Sequence, residues 1–140
     1  MEYKIKITKG LTENLAAKEI RRKVFMEEQG FNNEFDTADD IAFHAVIYDG
    51  KIGVATARLY QDKTGWHIGR VAVLPQYRGR RLGEKIVTEL ENFAKRHDVL
   101  KITLSAQIQA VGFYEKLGYK KLNDLHMDEF CPHMTMEKIL

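Results

Sequence analysis

The sequence predicts a mixed α/β fold in which a central mixed sheet is flanked by helices. Three observations support this fold class. Apolar and polar residues alternate in several short segments, apolar residues recur at helical spacing in others, and glycine-containing turns join neighbouring alternating segments. The predicted order of elements is β-α-β-β-β-α-β-α-β-β. A length of 140 residues suits one domain over residues 1–140.

The N-terminal part of the chain predicts a strand, a helix and a loop. Residues 2–8 alternate between apolar and polar side chains, as a half-buried strand does. Gly10 ends this strand, and Thr12 belongs to a residue type that caps helices. Apolar side chains at every fourth position then predict a helix to about Gln29, and we expect the acidic segment that follows to be a loop.

Two turns in the middle of the chain predict an antiparallel meander. Asp49-Gly50 between two β-type segments is a strong hairpin signal. Lys63-Thr64-Gly65 indicates a second hairpin directly after the first. The three strands that these turns join are expected at 42–48, about 52–61 and 66–74.

The later elements complete a strand–helix–strand crossover and a second antiparallel pair. An apolar stripe with helical spacing follows Pro75, and an alternating segment follows that helix. Because such a crossover joins parallel strands, we expect both parallel and antiparallel pairs in the sheet. The expected elements are a helix at about 80–96, a strand at 100–106, a helix from Ala110 to Gly118, a strand from near Tyr119 and a last strand at about 133–139.

The net charge of +2 conceals two charged segments of opposite sign. Residues 27–40 carry six acids and no Lys or Arg, whereas residues 76–85 carry four basic residues and one acid. Each segment alone is also compatible with a solvated surface. The low net charge argues against nucleic acid as a partner. The six acids are Glu27, Glu28, Glu34, Asp36, Asp39 and Asp40.

Composition excludes several classes of protein. The single cysteine, Cys131, excludes an internal disulfide framework and a cysteine-rich zinc module. Together with His126 and His133 it makes only a weak metal cluster, so we expect no metal. No apolar run approaches the roughly 20 residues of a membrane helix, and the N-terminus lacks the apolar core of a signal peptide. A cytoplasmic protein without a membrane partner is therefore expected.

The strongest local signal is the junction at residues 70–84, where a strand ends at Pro75 and a helix follows a glycine-containing turn. Unpaired N–H groups and the dipole make a helix N-terminus an anion site, and the arginines of the turn add positive charge. Neither the P-loop pattern G-x-x-x-x-G-K-[ST] nor the dinucleotide pattern G-x-G-x-x-G is present. Phosphate binding and a solvated turn are both open on this basis.

Two motifs, separated by one helix and one strand, resemble those of a known family. Residues 76–81, QYRGRR, are similar to the Q/R-x-x-G-x-G/A loop of the GNAT superfamily of acyl-CoA-dependent N-acetyltransferases. Residues 110–119, AVGFYEKLGY, are similar to its A-x-x-F-Y-E-K-L-G-F/Y signature. Residues 24–29, the acidic loop with His44, and residues 131–134 resemble the ElaA/YjcF-like branch. The resemblance therefore covers nearly the whole chain.

The resemblance implies a GNAT-like acyl-CoA N-acyltransferase fold with acetyl-CoA as cosubstrate. Amides of the loop would bind the CoA diphosphate, and residues 71–73 would bond the pantetheine arm. The strands at 66–74 and 100–106 would splay apart to admit the thioester. Two positions depart from the pattern, because Arg81 stands at its second Gly/Ala and Gln107 stands where many members have a pantetheine-contacting Asn. The cofactor-binding residues implied are Val71, Ala72, Val73, Gln76, Arg78, Gly79, Arg80, Arg81, Leu82, Gly83, Glu84, Ala106, Gln107 and Tyr114.

The resemblance also implies direct transfer of the acetyl group to a primary amine, with Tyr114 facing the sulfur as a hydrogen-bond donor. Because such an amine has a pKa of about 10.4, a base must take its proton. Glu28 and His44 are the expected catalytic groups, and a hydrogen-bonded core imidazole is the alternative for His44. The sequence does not select among the candidate bases Glu27, Glu28, Asp36, Asp39, His44 and His67.

The acidic segment 27–40 lies near where this family admits its acceptor. Six uncompensated acids would favour a cationic amine on a small molecule or a peptide, and a solvated loop is the alternative. A non-catalytic acyl-CoA-binding or sensing domain is a second class of function. A nucleic-acid binder that uses the arginines of the turn is a third, which the low net charge disfavours. A homodimer is left open as the assembly.

Overall fold

The computed structural model describes residues 2–12, 14–32 and 34–140, and within these ranges the elements follow the predicted order. None of the helices in these ranges is long and apolar enough to cross a bilayer. The strands are β1 Tyr3–Lys9, β2 Phe43–Asp49, β3 Ile52–Asp62, β4 Gly65–Val73, β5 Lys101–Gln107, β6 Lys120–Asp128 and β7 Cys131–Ile139. The α-helices are α1 Leu15–Arg21, α2 Leu82–Arg96 and α3 Val111–Lys116.

The strands form one mixed sheet of order β1-β2-β3-β4-β5-β7-β6. The antiparallel pairs β2–β3 and β3–β4 confirm both predicted hairpins, and the parallel pair β4–β5 confirms the crossover through α2. In the part of the chain that the structure describes, β4 and β5 pair only where Trp66 meets Ile102 and His67 meets Thr103. Beyond these residues the two strands diverge, so the predicted splay is present in the middle of the sheet.

Helices cover both faces of the sheet because each contributes an apolar stripe. Ile86 and Leu90 of α2 are fully buried in a cluster that includes Ile47 of β2. Ile20 of α1 is buried in a second cluster that includes Val46, the residue next to Ile47. Because successive strand residues point to opposite faces, α1 and α2 lie on opposite sides of the sheet. This arrangement is the predicted sheet flanked by helices.

The first helix continues beyond α1 as a π-helical segment over Arg22–Glu28. A π turn bonds each N–H to a carbonyl five residues back and is therefore wider than an α turn. The wider turn keeps apolar residues with four-residue spacing on one side, and Val24 is buried in the same cluster as α1. The helix begins after Asn14, whose side chain accepts from the Ala17 N–H at 3.0 Å, and not at the predicted cap Thr12.

Candidate active site

A cleft of about 540 Å³ follows the C-terminal end of β4 and the N-terminus of α2. We call it the β4 cleft. The π segment and α3 supply the rest of its wall through residues such as Val24 and Phe113. Ten of the residues implied for cofactor binding line it, namely Val71, Ala72, Val73, Arg78, Gly79, Arg81, Leu82, Gly83, Glu84 and Tyr114.

The turn before α2 leaves the first N–H groups of the helix open to the β4 cleft. Gly79 and Arg81 both have positive φ, 81° and 60°. Arg81, which departs from the Gly/Ala of the motif, thus adopts the left-handed backbone that favours glycine. Among the described residues, no side chain caps α2 at this position. The free N–H groups, together with the helix dipole, suit an anion.

The predicted residues of the turn do not all face the cleft. Arg80 donates to the Tyr3 hydroxyl at 3.1 Å and lies over the Tyr77 ring, with 4.9 Å to the ring centroid. Gln76 is exposed on a short 3₁₀ turn, and neither Arg80 nor Gln76 contributes to the cleft wall. Arg81 is exposed and does line the cleft. Only part of the basic turn is therefore directed at the candidate anion site.

Glu28, one of the two expected catalytic groups, is held by an arginine of the same turn. Arg78 Nη1 and Nη2 each donate to one carboxylate oxygen of Glu28 at 2.7 Å, and Arg78 Nε donates to the Val73 carbonyl oxygen at 3.0 Å. Hydrogen bonds from Arg78 lower the pKa of Glu28. A carboxylate held in this way is a weaker base, and the contact ties the π segment to the turn before α2.

A second cavity, of about 240 Å³, lies where β4 and β5 diverge. We call it the inner cavity. The predicted residues Ala106 and Gln107 line it, as do Glu34, Arg70 and His133, which were not predicted as site residues. Both the inner cavity and the β4 cleft are lined by Gln29, Val71, Ala110 and Tyr114. The two spaces therefore meet beside these four residues.

Tyr114 stands at this junction on the short helix α3. Its ring packs edge-on against Phe113 and Tyr119, with centroid distances of 5.0 Å and 5.8 Å. Burial raises the pKa of Tyr114, so the hydroxyl stays protonated at neutral pH. No described residue forms a hydrogen bond with this hydroxyl. The junction therefore contains a hydrogen-bond donor that is available to a ligand.

Gln107, at the position where the resemblance implies an Asn, lies beside the junction in the wall of the inner cavity. Its Nε2 donates to Oε1 of Gln29 at 2.8 Å. This bond connects the end of β5 to the residue that follows the π segment. The amide that the resemblance assigns to the pantetheine thus links β5 to the end of the first helix.

The expectation that the acidic segment is uncompensated is wrong. Three arginines from α1, β3 and β4 pair with its acids through N–O distances of 2.6–3.3 Å. Glu27 pairs with Arg22 and Glu28 pairs with Arg78. Of the six acids, Asp40 alone has no ion pair with a described residue. The segment therefore carries little free charge with which to attract a cation. The pairs within the network are Arg21–Glu34, Arg21–Asp39, Arg58–Asp36, Arg58–Asp39, Arg70–Glu34 and Arg70–Asp36.

Arg21, Arg58, Glu34 and Asp39 of the network are buried, and the network shifts the pKa values of its acids. Burial alone would raise the pKa of Asp39, but hydrogen bonds from Arg21 and the backbone of Asp36 lower it to about 2. For Glu34 burial outweighs the neighbouring guanidinium groups and raises the pKa to about 7. Glu34 lines the inner cavity, whereas Asp39 lines neither the cavity nor the β4 cleft.

His44, the other expected catalytic group, is enclosed behind this network. It is 0% exposed, and its Nε2 donates to the Asp39 carbonyl oxygen at 3.0 Å. Burial lowers the pKa of His44, which keeps the ring neutral. His44 lines neither the inner cavity nor the β4 cleft. Its position is that of a hydrogen-bonded core imidazole, the alternative given for it in the sequence.

Comparisons with known proteins agree with this fold. The family model of the acetyltransferase (GNAT) domain matches residues 11–140. The uncharacterized N-acetyltransferase YjcF of Bacillus subtilis is 34% identical over 123 residues, which cover 85% of this chain and 87% of that protein. The crystal structure of an acyl-CoA N-acyltransferase from Pseudomonas aeruginosa matches with a TM-score of 0.86 and 23% identity. The match covers 98% of this chain and 99% of that protein's chain. Escherichia coli ElaA has a TM-score of 0.86 with the same coverage at 21% identity. At these identities the two structures show the fold alone.

Proposed function

The chain belongs to the GNAT acetyltransferase family, and we propose that it transfers an acetyl group from acetyl-CoA directly to the primary amine of a small acceptor. The observation that carries the proposal is the junction of the β4 cleft with the inner cavity beside Tyr114. The cleft suits an extended cosubstrate whose acyl end reaches the junction. The inner cavity suits a second reactant that meets it there. Direct transfer requires two reactants held against each other at one point.

The β4 cleft offers the contacts that acetyl-CoA needs along its length. The N–H groups at the start of α2, with Arg81 beside them, suit the diphosphate. The Leu74 N–H donates to the Val54 carbonyl oxygen of β3 at 2.9 Å. Since neighbouring strand residues direct their backbone groups to opposite edges, the Val73 N–H points into the gap. An extended pantetheine arm can bond to this edge as an added strand would.

Transfer forms a bond between the amine nitrogen and the acetyl carbon, while the carbon–sulfur bond breaks and its electron pair goes to sulfur. Tyr114 would donate a hydrogen bond to that sulfur, because its hydroxyl is protonated at the junction and has no described partner. The Val73 N–H would polarise the acetyl carbonyl. The buried surroundings strengthen both interactions relative to water.

The test of the proposed function is a screen for thiol release from acetyl-CoA. The amines are amino sugars, polyamines, amino acids and peptides. We expect release with one class of amine, together with the acetylated amine in equal amount by mass spectrometry. Tight binding of acetyl-CoA without release on the whole panel would instead support the non-catalytic binding domain.

Tyr114→Phe should lower kcat by about tenfold while the acetyl-CoA affinity is unchanged, because one hydrogen bond in the transition state is lost. The ring contacts with Phe113 and Tyr119 do not involve the hydroxyl, so the fold should be retained. Tyr119→Phe is the matched control, because its hydroxyl donates to Glu91 at 2.8 Å and Tyr119 lines neither cavity. An unchanged kcat in Tyr114→Phe would contradict the assigned role.

A further inference from the structure

His133 on β7 has an open ring nitrogen at the wall of the inner cavity. The residue is 6% exposed and lines this cavity. Its Nδ1 lies 3.0 Å from the Cys131 carbonyl oxygen, which can only accept. Nδ1 therefore carries the hydrogen, and in the neutral ring Nε2 carries a lone pair. No described residue bonds Nε2, and this atom keeps some accessible surface on a residue that lines the cavity.

The register of the sheet brings His133 to the reaction site. His133 lies directly opposite Gln107 of β5, and opposed residues share one face of a sheet. Both residues line the inner cavity, which extends to Tyr114 and there meets the β4 cleft. An amine in the inner cavity would thus have a proton acceptor beside it and the acetyl group at the junction.

We propose that His133 is the general base that takes a proton from the acceptor amine, an inference that rests on the proposed function. The ammonium group first gives one proton to Nε2 of His133, which frees the nitrogen lone pair. That lone pair forms the bond to the acetyl carbon as the carbon–sulfur bond breaks. The nitrogen then loses a second proton, which ends on the CoA sulfur. The products are the acetylated amine, CoA thiol and protonated His133.

Other titratable groups are less suited to this role. Glu34 lines the cavity, but its Oε1 already accepts from Arg21 Nε at 3.1 Å and lies in an ion pair 2.8 Å from Arg70 Nε. Protonation of Glu34 would weaken both of these buried ion pairs. Glu28 is held by Arg78, and His44 is enclosed behind the ion-pair network.

Titratable or charged groups lie around His133 on several of the elements that pack against its ring or share the cavity. These groups are Glu34 after the π segment, Arg70 on β4, Tyr114 on α3, Asp128 and the stacked His126 on β6, and Cys131 on its own strand.

The test compares His133→Gln with the wild-type protein, using the amine identified by the thiol-release screen. We expect kcat/KM to fall about 100-fold, as for loss of a general base, with the Kd for acetyl-CoA unchanged. Because histidine changes charge between about pH 5 and 8, the acid limb of the kcat/KM profile in this range should disappear. Imidazole added to His133→Ala should restore part of the rate, which a purely structural role would not predict.

His97→Gln is the matched control. Its Nδ1 also lies against a backbone carbonyl oxygen, that of Phe93 at 2.9 Å, and His97 lines neither cavity. We expect its activity to equal that of the wild-type protein.

Three results would overturn the role of His133 and leave the proposed function intact. The first is a wild-type kcat/KM and pH profile in His133→Gln, and the second is loss of the acid limb in Glu34→Gln instead. The third is a fall in acetyl-CoA affinity or thermal stability that accounts for the lost rate. If the wild-type protein binds acetyl-CoA but acetylates no amine, the proposed function fails and the role of His133 fails with it.

Discussion

Asp39→Asn should lower the free energy of unfolding by about 3–5 kcal/mol, because it removes one partner from a buried set of ion pairs. Asp39 is 3% exposed, and its carboxylate accepts from Arg21 at 2.7 Å and from Arg58 at 2.8 Å. The same carboxylate accepts the Asp36 N–H at 3.0 Å. An asparagine amide keeps only one acceptor oxygen and turns its NH₂ group toward a guanidinium. Two buried cations therefore lose part of their compensation. Urea unfolding measures the difference.

Asp40→Asn is the matched control for this prediction. It makes the same change in charge at the next residue, which is exposed and lacks an ion pair among the described residues. Its effect on the free energy of unfolding should stay within about 0.5 kcal/mol. If both substitutions destabilise the protein equally, the buried network does not account for the effect.

The same pair of variants has a distinct pH dependence. The pKa of Asp39 is lowered from 3.8 to about 2, because hydrogen bonds from Arg21 and Asp36 overcome the effect of burial. A lowered carboxylate pKa contributes stability that is present above the unfolded pKa and is lost as pH falls through the folded one. The wild-type protein and Asp40→Asn should therefore lose stability between about pH 4 and pH 2 more steeply than Asp39→Asn.

Much of the fold could be predicted because its signals are local. Alternating residues and two turn sequences are sufficient to predict the hairpins of β2, β3 and β4, and the crossover predicts the parallel partner β5. The π segment at Arg22–Glu28 could not be predicted in this way. Apolar residues with four-residue spacing fit an α-helix as well as a π-helix over so few turns.

The cofactor side of the candidate site was more accessible to sequence analysis than the acceptor side. A glycine-containing turn before a helix is one contiguous segment, and its backbone positions follow from the motif. The direction of a side chain does not follow from the motif. Gln76 and Arg80 therefore lie outside the cleft wall although the motif includes them. The motif identifies the backbone that approaches a ligand, and each side chain then takes the partner that the fold provides.

The acceptor side depends on contacts between distant segments. Arg21, Arg58 and Arg70 lie on three different elements, and only the folded sheet brings them to the acids of residues 27–40. A count of charges along the sequence therefore cannot show that these acids are paired with arginines. His133 likewise reaches the inner cavity through its register with β5. The sequence signal nearest to it is the similarity of residues 131–134 to one branch of the family.

Gly83→Asp should raise the Kd for acetyl-CoA by about 1,000-fold and leave the protein at least as stable. Gly83 is the second residue of α2 and lines the β4 cleft. A carboxylate in the first turn interacts favourably with the helix dipole, so folding should not suffer. Toward a bound diphosphate the same carboxylate is repulsive, by about 4 kcal/mol for two charges about 4 Å apart at an effective dielectric constant of 20. This energy corresponds to about three powers of ten in Kd.

Gly83→Asn separates the charge of the new side chain from its size. In either variant the added Cβ would lie 3.3 Å from Phe113 Cζ, and this ring is 36% exposed and can move. The asparagine should therefore raise Kd by about tenfold or less, whereas the excess effect of aspartate should shrink as salt screens the repulsion. Titration calorimetry at two salt concentrations, with thermal unfolding of each variant, measures both quantities. Equal losses in the two variants would mean that bulk closes the cleft. Unchanged affinity in Gly83→Asp would contradict a diphosphate at this turn, and with it acetyl-CoA as the donor.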